Sequence, residues 1–164
     1  MENIMPDQNF LAPVNFSFAI KRLPFVSYFV QEANIPGMSI GNAEMPTPFK
    51  TIYYPGDKVD FNELQVTVRV DENMQNYIEI YNWIIGLTFP DQFEQYANLV
   101  DGDGIFSDAT LIVNTNKKNP NITFTFKDMY PTSISDIQMS AAESDINYTT
   151  ASMTFRHNGF DIRT

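Results

Sequence analysis

Apolar and polar residues alternate in several short stretches of the chain, and in one stretch the apolar residues recur every three or four positions. Val14, Phe16, Phe18 and Ile20 alternate with Asn15, Ser17 and Ala19, the period of a half-buried strand. Leu64, Val66, Val68 and Val70 alternate with Gln65, Thr67 and Arg69, and Ile122, Phe124 and Phe126 alternate with Thr123, Thr125 and Lys127. The last strand, over 148–156, turns Ala151, Met153 and Phe155 to one side. Further strands are predicted over 25–33, 47–54, 109–115 and 132–139. The stretch 25–33 carries aromatics on both faces, so each face needs cover. Met74, Tyr77, Ile78, Tyr81 and Ile85, widened by Trp83 and Ile84, predict one helix over 73–86 with a single buried face. Asp71, Glu72 and Asn73 suit its start, and Gly86 suits its stop.

Turn residues divide these elements. Asn34-Ile35-Pro36-Gly37 and Tyr54-Pro55-Gly56-Asp57 read as turns, 116–120 as a hairpin turn, and Asp128-Met129-Tyr130-Pro131 as the end of a strand. Residues 38–48, with Gly41, Pro46 and Pro48 among Met38, Ile40 and Met45, are hard to bury locally and predict a projecting hairpin or an extended loop. Residues 1–12 read as an arm or a loop. The connection over 89–104 reads as long, with a short helical turn near 91–97, and 158–164 as a strand end or an arm. The whole, 1–164, reads as a single mainly β domain.

Several strands present small polar residues on the face away from the core: Asn15 and Ser17, Gln65 and Thr67, Thr123 and Thr125, and 150–154. An ordinary solvated sheet face accounts for this. So does the smooth wall of a channel, since a closed barrel partitions faces in the same way.

Composition narrows the chemistry. There is no cysteine and one histidine, which excludes disulfides, thiolate sites and multi-histidine metal centres. His157, beside Arg156 and Asn158, reads as structural or surface. Asp101-Gly102-Asp103-Gly104 lacks the further oxygen ligands of a calcium loop, and Asp57 with Asp60 reads as ordinary turn-end carboxylates. No catalytic, metal or cofactor site is predicted. The formal net charge of -10 repels phosphate backbones and disfavours a nucleic-acid groove. The first residues lack the pattern of a secretory signal and no apolar run has membrane-spanning length, so a cytoplasmic protein with no membrane association is expected. Exposed edges and the 34–50 stretch instead point to completion by assembly.

The order of these segments resembles the tail tube protein family of contractile-tailed, T4-like bacteriophages, which is related to the inner tubes of type VI secretion. The resemblance covers 13–160. It rests on NFSFAI, FVSYFVQEANIPG, YYPGDKVDFNELQVTVRVDEN, the helix MQNYIEIYNWI, and above all FTFKDMYPTSISDIQMSAAESDINYTTASMTFRHNGFDI. The ending Arg156-His157-Asn158-Gly159-Phe160 departs from the aromatic-rich close common in the family, and the 88–106 connection is long and acidic. The resemblance implies a β-barrel or sandwich flanked by one α-helix, with no enzyme activity. It implies homo-hexameric rings stacked into a tube within a tail sheath, with baseplate and tail terminator proteins at the ends and DNA passing through the lumen without specific binding. The expected location is the virion tail, assembled in the host cytoplasm. The 34–58 stretch would be an arm to the neighbouring ring, with Met38, Ile40, Met45 and Phe49 as contacts. The alternatives are a tube-initiating baseplate component, a secretion-system inner tube subunit and, more distantly, a monomeric β-fold binding module; a hydrolase built on converging carboxylates is weaker still.

Overall fold

The computed structural model describes residues 10–88, 94, 104–140 and 147–164. In chain order these form β1 (Phe16–Ile20), α1 (Pro24–Tyr28), β2 (Val30–Ala33), β3 (Met38–Pro46), β4 (Thr51–Phe61), β5 (Leu64–Arg69), α2 (Gln75–Leu87), β6 (Ser107–Asn114), β7 (Pro120–Ile134), β8 (Thr150–Arg156) and β9 (Gly159–Arg163). The architecture is a mainly β sandwich with a minority of helix, plus a separate two-stranded sheet of β3 and β4. Of the helical turn expected near 91–97 only residue 94 is described; the rest of it, and residues 1–9 of the expected arm, lie outside the described residues.

The main sheet runs β1-β6-β7-β8-β5-β2, with β9 also beside β7. All its pairings are antiparallel. Two strands turn its corner together. β7 pairs with β6 and β9 along its first part and with β8 along its last. The β8–β9 segment follows it in register, from Ile134↔Met153 through Lys127↔Gly159 to Thr123↔Arg163. This makes two layers that share β7: β1, β6, β7 and β9 in one, β7, β8, β5 and β2 in the other. Such corners need an irregular residue. Asp128 provides it at φ 51°, a left-handed conformation that Asp tolerates better than most residues. Asn158 clamps the same corner, its side-chain amide donating to Asp128 Oδ2 at 3.2 Å and its backbone N–H to the Lys127 carbonyl at 3.1 Å. The expected strand end at 128–131 is therefore a bend inside one strand, and the strand expected over 132–139 is its continuation to Ile134.

The core lies between the layers. It takes Phe18 and Ile20 from β1, Leu64, Val66 and Val68 from β5, Leu111 and Val113 from β6, Phe124 and Phe126 from β7, and Met153 and Phe155 from β8. The alternation predicted for these strands is the alternation observed. Beside the core, His157 sits among Phe61, Phe126 and Phe160, with ring centroids 5.2–6.0 Å away. Burial holds its pKa below the ordinary 6.5, partly offset by the backbone of Asn62 and Gly159; neither ring nitrogen has a hydrogen-bond partner at bonding geometry. The single histidine is thus structural. A depressed folded pKa means the unfolded chain binds the proton first. The contribution of His157 to stability is therefore present above pH 6.5 and is lost as the pH drops from there through the folded value. His157→Phe should flatten the part of the decline between pH 7.5 and 5.5, measured by urea unfolding of the two proteins; equal slopes would remove His157 as its cause.

The helices depart from expectation in three ways. First, the stretch 25–33 is not one strand. Pro24 opens a five-residue helix, a position where its missing N–H is no loss, and the Ser27 hydroxyl donates to the Leu23 carbonyl at 2.9 Å. Val26 is buried while Phe25 and Tyr28 are exposed. The single flanking helix is therefore joined by a second. Second, Met74 caps α2 in a left-handed conformation with no side-chain hydrogen bond, so the acidic start at 71–73 is not the cap, and the helix runs past Gly86, which is buried within it. Thr88 ends it, donating from its hydroxyl to the Ile84 carbonyl at 3.2 Å. Third, the buried face is Asn76, Ile80, Trp83 and Gly86, so Ile78 and Tyr81 of the predicted stripe are exposed. Asn76 fixes this rotation, its buried side chain donating to the Arg69 carbonyl at 2.6 Å.

Candidate assembly surfaces

Two surfaces stand out for what they leave unpaired or exposed. The first is the β3–β4 hairpin. Every residue of β3 is exposed, and neither strand packs substantially on any other element. Its base is held by the Asn62 backbone N–H donating to the Gly37 carbonyl at 2.9 Å and by Phe61 packing edge-on against Phe160 with centroids 5.6 Å apart. Pro46 to Lys50 form the tip. The turn expected at 54–57 is instead strand: Pro55 pairs with Asn42 next to a register shift between Ile40 and Asn42. The two extra residues on β4 accommodate a proline that cannot donate to the ladder.

Gly56 is needed there. A Cβ on it would lie 2.6 Å from the Gly41 carbonyl oxygen, whereas one on Gly41 would meet nothing within 4 Å. Gly56→Ala should therefore force the two strands apart at a cost of roughly 1–3 kcal/mol. The expected result is loss of amide-exchange protection across β3 and β4 by about tenfold or more, with the melting of the sandwich unchanged. Gly41→Ala is the control, and equal protection in both variants would show the close approach to be unimportant.

The four residues singled out in the sequence all lie on this hairpin. Met38 is 62% exposed, Ile40 55%, Met45 53% and Phe49, at the tip, 98%. The hairpin brings them onto one projection without packing them into one cluster. Met38 and Ile40 stand opposite Phe61 and Val59 near the base, and Met45 stands opposite Ile52 near the tip. The sequence reading missed Tyr53, Tyr54 and Val59, which are also exposed. Their signal was the β-favouring Ile52, Tyr53, Tyr54, Val59 and Phe61, which one strand carries across the turn-like Pro55-Gly56.

The second surface is the outward face of the β2-β5-β8-β7 layer. Registers place Thr67 opposite Ser152, Gln65 opposite Thr154, Arg69 opposite Thr150, and Glu32 opposite Thr67; Ser133 follows beside Thr154. The Thr67 and Ser152 hydroxyls are 3.2 Å apart. The two arginines on this wall are held by neighbours. Arg156 Nε lies 3.1 Å from Glu63 Oε1. The Arg69 guanidinium lies over Tyr148, 4.2 Å from the ring centroid. With the Gln31 amide oriented so that its oxygen accepts, Arg69 also donates to it at 2.6 and 3.0 Å. The expected polar faces do not all join: Asn15, Ser17, Thr123 and Thr125 belong to the other layer, where Ile112 lies between them. Among the described residues the polar wall ends in two unpaired edges, the outer side of β2 and the side of β7 beyond Met129, where pairing with β6 has stopped.

Among the described residues no group of three or more His, Cys, Asp or Glu could hold a metal ion. No helix among them is long and apolar enough to cross a membrane. Glu79, on α2, is held above its ordinary pKa by burial, partly offset by the backbone N–H groups of Val26 and Phe25 at the start of α1.

No curated protein matches the chain by sequence. Solved structures do match its fold. A chain of the sheath/tube terminator of the PVC extracellular contractile injection system, in the extended state, has 15% identity over 96% of this chain and 99% of that one, with a TM-score of 0.66. A chain of the anti-feeding prophage cap, a tube terminating cap, has 13% identity over 98% and 95%, with a TM-score of 0.65. A chain of the anti-feeding prophage baseplate has 9% identity over 99% and 97%, with a TM-score of 0.59. At such identities the likeness is one of fold. The phage tail tube protein family model matches residues 8–160. The chain is a member of the phage tail tube protein family, a family of structural subunits.

Proposed function

We propose that the chain is a structural subunit of the inner tail tube of a contractile phage. Six copies form a ring, rings stack, and the lumen conducts DNA during ejection. The observation that carries this reading is the polar wall with an unpaired strand edge at each side. An edge that closes on the opposite edge of a neighbour repeats a heterologous contact, and such contacts close into rings when the rotation fits. Pairing β2 of one copy with the free side of β7 of the next extends the wall around the ring and removes two edges that would otherwise be an aggregation hazard. The wall then carries mainly hydroxyls and amides toward the lumen, with Arg156 paired to Glu63 and Arg69 held over Tyr148, a lining to which a passing phosphate backbone gains little by adhering. The β3–β4 hairpin, with Met38, Ile40, Met45 and Phe49, reaches the neighbouring ring. Sheath, baseplate and terminator proteins are the further partners, and the virion tail is the location after assembly in the host cytoplasm.

A tube-initiating or tube-ending component is the second reading. It is favoured by the likeness to chains of baseplate and cap assemblies. Electron microscopy of the purified protein over a concentration series, with and without a baseplate initiator, tests both. Six-fold end views with tubes that lengthen support the tube subunit. Single rings that never lengthen support the initiator. Dispersed single particles with initiator present overturn both.

A further inference from the structure

The same chain carries an apolar cavity away from the tip of the hairpin. An apolar cavity of about 210 Å³ opens between the start of β1, the β2–β3 link and β6, walled by Leu11, Phe16, Ala33, Ile35, Leu111 and Val113. Leu111 and Val113 form its buried floor, and Leu11 and Ile35 form its exposed rim. Asn15 is its single polar lining residue. Phe49 is the most exposed large apolar side chain among the described residues. An apolar cavity of ~150 Å³ is enough to admit benzene, so this one accepts a phenyl ring.

We infer that Phe49 of one copy seats in this cavity of a second copy of the chain. This rests on the tube reading and names the receptor for its arm. Three observations carry it. Knob and cavity cannot meet within one chain, because Ile35 lies at the hairpin base and the nine residues of β3 hold Phe49 about 30 Å away at ~3.3 Å per residue. Knob and cavity are different surfaces of the same molecule, so the contact is heterologous and propagates without closing on itself. Charge favours this part of the chain as the donor: residues 45–56 carry one charge, Lys50, and no acid, on a chain of net charge -10. The tip is the part that can approach a second copy with attraction in place of repulsion.

The test uses the absence of native cysteine. Phe49→Cys/Ile35→Cys, assembled and then mildly oxidised, should give a ladder of disulfide-linked multimers in denaturing gels, while each single variant gives none beyond dimers. Oxidation removes two thiol hydrogens to an added oxidant such as copper phenanthroline with oxygen, forming one S–S bond. In parallel, Phe49→Ala and Ile35→Arg, both at exposed positions and so expected to fold, should each raise the concentration needed for stacking by roughly tenfold or more while leaving rings intact. Rings without a ladder, or normal stacking by Ile35→Arg, overturn the receptor assignment and leave the tube reading standing. Disulfide dimers from Phe49→Cys alone, with no ladder from the double variant, mean that tip meets tip, and also overturn it. Wild-type protein that forms no rings is instead the failure of the tube reading.

Discussion

Excising residues 40–59 and joining Ser39 to Asp60 through a two-residue Asn-Gly turn should leave a folded subunit that no longer makes tubes. Ser39 and Asp60 face each other across the hairpin, so a tight turn of that kind can close it there. The removed stretch contributes nothing to the core cluster, and the excised subunit should melt within a few degrees of the wild type. Its contribution lies outside the monomer. Ile40, Met45, Phe49, Tyr53, Tyr54 and Val59 are all exposed, and burying one large apolar side chain is worth about 1.5–3 kcal/mol. Even a third of that, realised at several side chains and repeated around a ring, shifts the stacking equilibrium by several orders of magnitude, because the contacts of one ring are made together. Electron microscopy and sedimentation of the excised protein should find rings or subunits without tubes. Tubes of ordinary length at ordinary concentration would remove the hairpin from the assembly mechanism. This excision asks whether the hairpin is needed, and the cysteine ladder asks where its tip goes.

The strands were legible where local and tertiary demands agree. In β5 and β8, Leu64, Val66 and Val68, and Ala151, Met153 and Phe155, are the buried residues, and a period of two leaves no other face to bury. The errors fall where a local signal has two readings. Asp128 and Pro131 punctuate the sequence as a turn would, yet the chain uses them to carry β7 from one layer to the other. Pro55 and Gly56 do the same inside β4, where only the approach of Gly41 reveals why a glycine is there. Phe25, Val26 and Tyr28 favour a strand by propensity; Pro24 and the Ser27 hydroxyl turn them into helix. The rotation of α2 was hidden because Asn76, a polar residue, is buried and Ile78 and Tyr81 are not. The two candidate surfaces were half visible. A stretch too apolar and too proline-rich to bury locally marked a projecting hairpin, but its length to Phe61 and its exposed tyrosines depend on a pairing register. The polar wall was visible as residue types. Which strands share it follows only from which strands pair, a long-range fact that alternation does not encode.

Trp83→Ala should produce the largest loss of stability of any single change considered. The indole lies between α2 and the sandwich, 2% exposed, with its ring centroid 6.4 Å from that of Phe155. Its Nε1–H donates to the Ile105 carbonyl at 3.2 Å, and the Arg22 guanidinium lies over the ring at 5.2 Å. The indole therefore ties β8, the chain leading into β6 and the β1–α1 turn to one helix. Truncating a buried aromatic costs about 3–5 kcal/mol, against a total of roughly 5–15 kcal/mol for a domain. At 2–4 °C per kcal/mol for a chain of this size, the unassembled variant should melt roughly 10–15 °C below the wild type. Trp83→Phe separates the contributions: it keeps most of the apolar volume and loses the donor, for about 1–2 kcal/mol. Assembly changes the outcome in a defined direction. Ring contacts bind the folded subunit and not the unfolded chain, so mass action returns part of the lost stability, and the gap between variant and wild type should narrow as concentration rises through the assembly range. Calorimetry at two concentrations, one below and one above ring formation, measures both effects. A gap under about 3 °C in the dilute sample would mean that α2 is not what closes this end of the core. A gap that stays constant with concentration would mean that the folded subunit gains nothing from its neighbours, which contradicts the proposal that its unpaired edges are completed by assembly.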